Sequence, residues 1–183
     1  IKNTFAPEEK GTVIKNEATA TGTSIQGISS IDKIVLLSLE GSGMVGIPGF
    51  SKRLFEALAN ALINVILITQ GSSEHSICVG VDEHASAKAK EVVDAAFAYE
   101  IEINKVDPVI IEKALSIVAI VGDNMKNHSG ISGKMFSALG RNGVSIRAIA
   151  QGSSERNISA VINTADVKKA INVLHEEFFE TSY

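Results

Sequence analysis

Hydrophobic and polar positions recur along the chain in two similar halves. Residues 34–97 align with residues 115–178 at a constant offset of 81 residues without a gap, and 18 of the 64 aligned pairs are identical. The pentapeptide QGSSE occurs in both halves, at residues 70–74 and 151–155. Such a repeat predicts two copies of one folding unit packed side by side, with ligand sites in pairs near the boundary between the copies.

Each copy shows the same order of predicted elements. A short apolar run of strand length opens each copy, at residues 34–39 and 115–121, and a glycine-containing loop follows it. Apolar positions at helical spacing come next, and then a strand at residues 63–69 and 144–150. The QGSSE turn leads into an alternating strand, and a second amphipathic helix closes the copy. The pattern predicts the order β-α-β-β-α.

A fourth strand is needed to complete each unit. Residues 99–104 (YEIEIN) alternate and are predicted to supply it in the first copy, which gives a ferredoxin-like β-α-β-β-α-β unit. The second copy has only residues 180–183 after its last helix, so we predict that residues 24–30 (SIQGISS) pair with its sheet. The predicted fold class is α/β (α+β), with two ferredoxin-like units, antiparallel sheets, and the first unit inserted in the second.

These patterns divide the chain into three parts. Residues 1–23 are interpreted as a connector from a missing upstream domain, because they contain turn residues and no periodic pattern. Residues 31–107 form the first predicted unit, and residues 24–30 plus 108–183 form the second. The absence of an initiator methionine suggests a fragment.

Composition narrows the class of partner. The 183 residues are 45% hydrophobic and carry a net charge of -4 without a basic run, which argues against nucleic acid and anionic membranes. No apolar stretch reaches the roughly 18 residues of a membrane span. The single cysteine, Cys78, lies in an alternating run and is expected to be a reduced thiol, which favours the cytoplasm.

No pattern indicates a catalytic centre or a metal site. Residues 41–46 (GSGMVG) match the dinucleotide-binding pattern, but Pro48 and Gly49 follow, and the helical pattern begins only near Phe50. The second copy has GDNMKN at residues 122–127 and lacks the pattern. The histidines show no metal-ligand spacing; they are His75, His84, His128 and His175.

Polar side chains recur at both ends of one strand in each copy. Gln70 and Gln151 end these strands, and an amide that both donates and accepts hydrogen bonds suits a zwitterionic amino acid. Capping of the hairpin turn is the alternative role. The same strands open on the pairs Asn64–Val65 and Ser145–Ile146, where turn formation and ligand contact both remain open.

The sequences of residues 41–77 and 122–158 resemble a known family. GSGMVGIPGFSKRLFEALANALINVILITQGSSEHSI and GDNMKNHSGISGKMFSALGRNGVSIRAIAQGSSERNI are similar to the paired ACT domains of aspartokinases, closest to the regulatory segment of bifunctional aspartokinase/homoserine dehydrogenase. The resemblance implies a noncatalytic fragment without its own cofactor that binds a feedback amino acid, threonine for the bifunctional type. It also implies an upstream kinase domain that uses ATP, and a homo-oligomer formed through the ACT units.

The resemblance also implies particular site residues. Gln70 and Gln151 match glutamines that contact threonine, and the strand-start pairs Asn64–Val65 and Ser145–Ile146 match positions that hold its amino and carboxylate groups. Asp123 matches an acidic position near the ammonium group of the effector.

Three other functions remain open, the first of them within the family that the sequence resembles. They are a lysine-sensing regulatory domain of a monofunctional aspartokinase, a dimerisation module with no ligand, and an enzyme that uses the glycine loop to bind a nucleotide. Binding of threonine, lysine or ATP by the isolated chain distinguishes them.

Overall fold

The computed structural model of the chain describes residues 1–14, 25–71, 75–123, 125–126, 128–154 and 156–180. The strands of this part are β1 (Gly27–Glu40), β2 (Leu67–Gln70), β3 (Ser76–Asp82), β4 (Ile110–Val121), β5 (Ile146–Gln151) and β6 (Asn157–Asn163). Its α-helices are α1 (Phe50–Asn60), α2 (Ser86–Ala96), α3 (Ala98–Glu102), α4 (Ile131–Arg141) and α5 (Val167–His175). Short 3-10 turns cover Ser42–Met44, Glu83–Ala85 and Thr164–Asp166, and a π turn covers Glu176–Glu180.

The helices form where the apolar spacing predicts them. In α1 the buried side chains include Leu54 and Leu58, and in α4 the counterpart of Leu58 is the buried Leu139. Gly49 and Gly130 precede the two helices with φ of 100° and 92°, a backbone region that favours glycine. The repeat in the sequence is therefore a repeat in the structure, with β-α-β-β-α in each half.

The two halves share one antiparallel sheet. Its strand order is β2-β3-β1-β4-β6-β5, so that the first strands of the two units, β1 and β4, pair with each other at its centre. Each half contributes three strands in mirrored order. The two antiparallel sheets that the sequence predicts are therefore joined into one.

Each central strand serves both units. Residues 34–40 of β1 pair with β3 of the first unit, whereas residues 27–31 pair with residues 117–121 of the second. This confirms the predicted pairing of the segment before the first copy over residues 27–30; Ser24 lies outside the described residues. In return, residues 110–112 of β4 pair with residues 36–38 of the first unit.

Both central strands bend at equivalent positions. Lys33 in β1 and Ala114 in β4 have φ of 59°, and the register between the strands shifts between Ile31 and Ile34 and again between Ile34 and Leu36. Such bulges bend and twist strands. The edge strands β2 and β5 come into contact with each other as a result, so that the sheet curls toward a barrel.

Three apolar clusters stabilise this arrangement. The first lies between the sheet and helices α1 and α2, and the second lies between the sheet and helices α4 and α5. The third fills the inside of the curled sheet and draws on both units. Its buried members are Ile34, Leu36, Leu67, Leu115, Ile117, Ala148 and Val161.

The fourth strand predicted at residues 99–104 is wrong. Helix α3 occupies Ala98–Glu102, and the paired strand comes from residues 110–112. Ile101 packs against the first cluster, and Glu100 forms an ion pair with Arg53 of α1. These contacts favour a helix that continues from α2, although the alternation alone is also compatible with a strand.

The first strand of each hairpin begins later than predicted. The predicted residues 63–69 become Leu67–Gln70, and residues 144–150 become Ile146–Gln151. Of the predicted connector, residues 1–14 are described, with Thr12 N donating to Ile1 O at 2.8 Å, and the remainder lies outside the described residues. Among the helices of the described part, none is long and apolar enough to cross a membrane.

Candidate functional site

The first unit contains a pocket at the end of the sheet where β2 ends. The loop between β1 and α1 forms one wall, the first turn of α1 forms another, and β2 and β3 contribute the floor. The pocket has a volume of about 360 Å³. Its lining residues are Met44, Gly46, Ile47, Pro48, Gly49, Phe50, Ser51, Gln70 and Ile77.

The second unit contains the equivalent pocket, with a volume of about 280 Å³. Every residue that lines it is the counterpart, 81 positions later, of a residue that lines the first pocket. These residues are Met125, His128, Ser129, Gly130, Ile131, Ser132, Gln151 and Ile158. The sequence repeat thus produces a repeated cavity, one in each unit.

Equivalent backbone hydrogen bonds hold the two pocket loops. Gly41 N donates to His75 O at 3.0 Å, and Gly122 N donates to Arg156 O at 2.9 Å. Within the loops, the N–H groups of Ile47 and His128 donate to the carbonyls of Met44 and Met125. At these described positions the two loops are therefore held by equivalent hydrogen bonds although their sequences differ.

A helix begins at the wall of each pocket. The first intrahelical bonds run from Arg53 N to Gly49 O at 3.0 Å and from Lys134 N to Gly130 O at 2.8 Å. N–H groups earlier in the first turn have no partner within the helix, and they carry a partial positive charge. A carboxylate is favoured at such a position.

The two glutamines end equivalent strands, as their positions in the sequence predict. Gln70 is the last residue of β2 and pairs with Ile77, while Gln151 is the last residue of β5 and pairs with Ile158. Each glutamine is exposed and lines the pocket of its own unit.

A third cavity, of about 590 Å³, lies between the two units. Strands β2 and β5 contribute one side of it, and β1, β4 and β6 contribute the other. Both Gln70 and Gln151 line this cavity in addition to their own pockets. Each glutamine therefore borders both the pocket of its own unit and the cavity between the units.

The strand-start residues line none of these three cavities. Asn64 and Ser145 are exposed, Val65 and Ile146 are half-buried, and each pair precedes or opens its strand at the end opposite the glutamine. A role for these residues as ligand contacts stays a prediction.

Asp123 lies in the loop after β4 and is exposed. Its Oδ2 accepts a hydrogen bond from Gln26 Nε2 at 3.3 Å, and it does not line the second pocket. Its role near an effector ammonium also stays a prediction.

Several lining residues were not singled out from the sequence. Met44, Ser51 and Ile77 face the first pocket, and their counterparts in the second pocket are identical residues. These residues could have been found from the sequence, because they are identical in the two copies and lie beside a predicted loop or strand end.

The first unit has an ion pair beside its pocket. Arg53 of α1 donates from Nη2 to Glu100 Oε2 at 3.0 Å, and its guanidinium lies 4.4 Å from the centre of the Phe97 ring. The hydrogen bond from Arg53 holds the pKa of Glu100 below its ordinary value, and it raises the pKa of Arg53. This pair links α3 to the helix that begins at the pocket wall.

The described residues contain no group of three or more histidine, cysteine, aspartate or glutamate side chains placed to hold a metal ion. Cys78 is half-buried in β3, and burial raises the pKa of its thiol.

Comparison with known proteins agrees with the repeated fold. The family model described as the ACT domain matches residues 37–97 and residues 118–178. The chain belongs to the ACT domain family. Its two ACT domains are the two units of the shared sheet, and each contains one of the equivalent pockets.

Relatives of this ACT pair come from aspartokinases. A bifunctional aspartokinase/homoserine dehydrogenase of Haemophilus influenzae is 40% identical over 179 residues, which cover 98% of this chain and 22% of that protein. The crystal structure of the Clostridium acetobutylicum aspartate kinase superposes with a TM-score of 0.82 at 25% identity, over 97% of this chain and 41% of that one. The ligand-free regulatory subunit of the Thermus thermophilus aspartate kinase shares the fold, with a TM-score of 0.72 at 24% identity, over 85% of this chain and 99% of that one. The ACT pair spans about a fifth of the length of the curated bifunctional relatives it matches.

Proposed function

We propose that this ACT pair is the regulatory segment of an aspartokinase and binds threonine, with one molecule in each of the two equivalent pockets. The observation that carries the proposal is the repeated pocket with a glutamine at a strand end and a helix start opposite it. The helix start favours the carboxylate of an amino acid, and the glutamine amide can donate to or accept from its polar groups.

The charges of the lining residues support threonine over lysine. None of the described residues that line either pocket is an aspartate or a glutamate. A lysine side chain placed there would lose water around its ammonium without a carboxylate partner, which is unfavourable. The side chain of threonine carries no charge, so it does not need such a partner.

The relatives support the regulatory context. The similarity to the H. influenzae protein favours a parent chain with an aspartokinase domain upstream, for which ATP is the phosphoryl donor, and a homoserine dehydrogenase domain as a further part. In this proposal the fragment itself is noncatalytic and transmits the presence of threonine to those domains.

Assembly into a homo-oligomer is the second part of the proposal. Ile68 of β2 and Ile149 of β5 occupy equivalent positions on the two edge strands and are 52% and 43% exposed. Exposed apolar side chains such as these, which also line the cavity between the units, can be covered by another copy of the chain. Each copy therefore offers two equivalent contact surfaces.

Calorimetry with the chain and four amino acids tests the proposal. We expect threonine to bind in the micromolar to millimolar range and lysine, methionine and isoleucine to bind more weakly. A preference for lysine would support the lysine-sensing alternative, and no binding of any amino acid would support the dimerisation module.

A further inference from the structure

The two pockets differ in chemistry at three of their equivalent wall positions. Ile47, Pro48 and Phe50 line the first pocket, where the second has His128, Ser129 and Ile131. The other shared positions hold identical residues in both pockets. The difference is confined to the loop and the first residue of the helix.

The identical residues and the differing residues suit different parts of an amino acid. The shared glutamine, serine and helix start are the groups that can hydrogen-bond the ammonium and carboxylate, which every amino acid has. The differing residues are the ones that remain for the side chain. Selectivity between amino acids should therefore depend on positions 47–50 and 128–131.

At these positions only the second pocket offers side-chain hydrogen bonds. The imidazole of His128 and the hydroxyl of Ser129 can each donate or accept, whereas Ile47 and Pro48 can do neither. Both loops have the same backbone hydrogen bond to the buried methionine, so the side chains at 47 and 128 start from the same place. The two pockets therefore differ at these positions in the hydrogen-bonding capacity of their side chains.

We propose that His128 and Ser129 make the second pocket selective for an amino acid with a side-chain hydroxyl, while the first pocket is selective only for shape. This inference rests on the proposed function, since it assumes that both pockets bind an amino acid. Threonine and valine distinguish the two kinds of selectivity, because a methyl group in valine replaces the hydroxyl of threonine. A site that hydrogen-bonds a hydroxyl strongly rejects the analogue without it, whereas an apolar site discriminates weakly.

Methyl NMR can read the two pockets separately in the unmodified chain. Ile77 and Ile158 are equivalent, buried residues that line the first and second pocket, so their methyl signals report on each pocket. Ile77→Val and Ile158→Val assign the signals. Titration with threonine and then with valine gives the ratio of dissociation constants, valine over threonine, for each pocket. We expect this ratio to be about tenfold or more higher in the second pocket.

Exchange of the wall residues tests which side chains are responsible. His128→Ile should lower the ratio of the second pocket toward that of the first, and Ile47→His should raise the ratio of the first. In each variant the unchanged pocket is an internal control for folding. Ser129→Ala should lower the ratio of the second pocket without changing its apolar wall.

Different results would overturn the selectivity inference and the proposed function. Suppose that threonine binds in both pockets and that the valine-over-threonine ratios of the two pockets agree within about twofold, or that the ratio is higher in the first pocket. This result would overturn the selectivity inference and leave the proposed function intact. A higher ratio in the second pocket that is unchanged in His128→Ile and Ser129→Ala would overturn the assignment to these residues. No response of either isoleucine to threonine would overturn the proposed function together with the inference.

Discussion

Lys33 and Ala114 occupy the same position in the two repeats, and both have a φ of 59° in the middle of a central strand. The bulges at these residues lie between the part of each strand that serves one unit and the part that serves the other. Because both strands bend there, the two halves of the sheet enclose the third apolar cluster. The bend thus connects the repeat in the sequence to the contact between the units.

The positive φ at Ala114 predicts that glycine is favoured at this residue. We expect Ala114→Gly to raise the free energy of unfolding by about 0.5 to 1 kcal/mol, because glycine relieves the steric cost of this conformation. Ala119→Gly in the same strand is the control without a positive φ and should lower it by at least about 0.5 to 1 kcal/mol, since it adds freedom to an extended strand and removes a buried methyl group. Urea denaturation measures the free energy of unfolding of both variants. Equal decreases in the two variants would contradict the positive φ at Ala114.

Crowding at Gly41 predicts a cost for any side chain there. A Cβ atom on Gly41 would lie 2.4 Å from Lys105 O and 2.6 Å from Val106 Cα, so the backbone must move. We expect Gly41→Ala to lower the free energy of unfolding by about 1 to 3 kcal/mol.

Gly27→Ala is the control for this substitution, because a Cβ atom there has no neighbour within 4 Å. Its effect should stay within about 0.5 kcal/mol. Chemical denaturation of both variants checks the contrast, and similar stabilities would show that residues 105–106 do not pack against the loop as described.

The Arg53–Glu100 pair predicts a dependence of stability on pH. The pKa of Glu100 is lowered in the folded state, chiefly by the hydrogen bond from Arg53. The contribution of ionised Glu100 to the free energy of unfolding is therefore fully present above the ordinary pKa of glutamate, about 4.3. It is lost as the pH falls through the lower pKa of the folded state. Glu100→Gln should cost about 0.5 kcal/mol at neutral pH, after allowance for the partial exposure of Arg53, and nothing in strong acid.

Glu91→Gln is the matched control, because Glu91 forms an exposed ion pair with Lys88. Its stability should follow that of the parent chain at every pH. Unfolding curves at several pH values measure the difference. If the difference in free energy of unfolding between Glu100→Gln and the parent chain is the same at every pH, the ion pair is not its cause.

A change in how the units or copies pack is the expected effect of threonine. Gln70 and Gln151 line both their own pockets and the cavity between the units, so ligand contact and unit packing depend on the same side chains. A ligand that binds one arrangement better shifts the population toward it. Small-angle scattering and sedimentation with and without threonine measure this. Identical shape and association state at saturation would contradict the prediction for the isolated chain.

Local patterns predicted most of the fold, and a long-range contact explains the main error. The apolar spacing of α1 and α4 predicts helices because one face of each is buried in its own unit. Residues 99–104 alternate in a way that suits a short strand or a helix, and in the observed helix Glu100 pairs with Arg53, 47 residues away, which local patterns do not reveal. Residues 110–112 could not be recognised as the missing strand because they continue β4.

The candidate site was predictable where the two copies agree. Gln70 and Gln151 stand out as identical polar residues at strand ends, and both line pockets. The walls at Ile47 and His128 could not be found in this way, since they differ between the copies. Their position beside the pocket follows from the course of the loop, which sequence periodicity does not describe.

Removal of each glutamine in turn is the most direct test of the central claim that the chain has two equivalent pockets for threonine. Isothermal titration with threonine should show that Gln70→Ala and Gln151→Ala each weaken one of two sites by about 1 to 3 kcal/mol, and that the double variant weakens both. Asn172→Ala removes an amide from an exposed position of α5 and should bind like the parent chain. If both glutamine variants also bind like the parent chain, the glutamines only cap their turns and the two-pocket account is wrong.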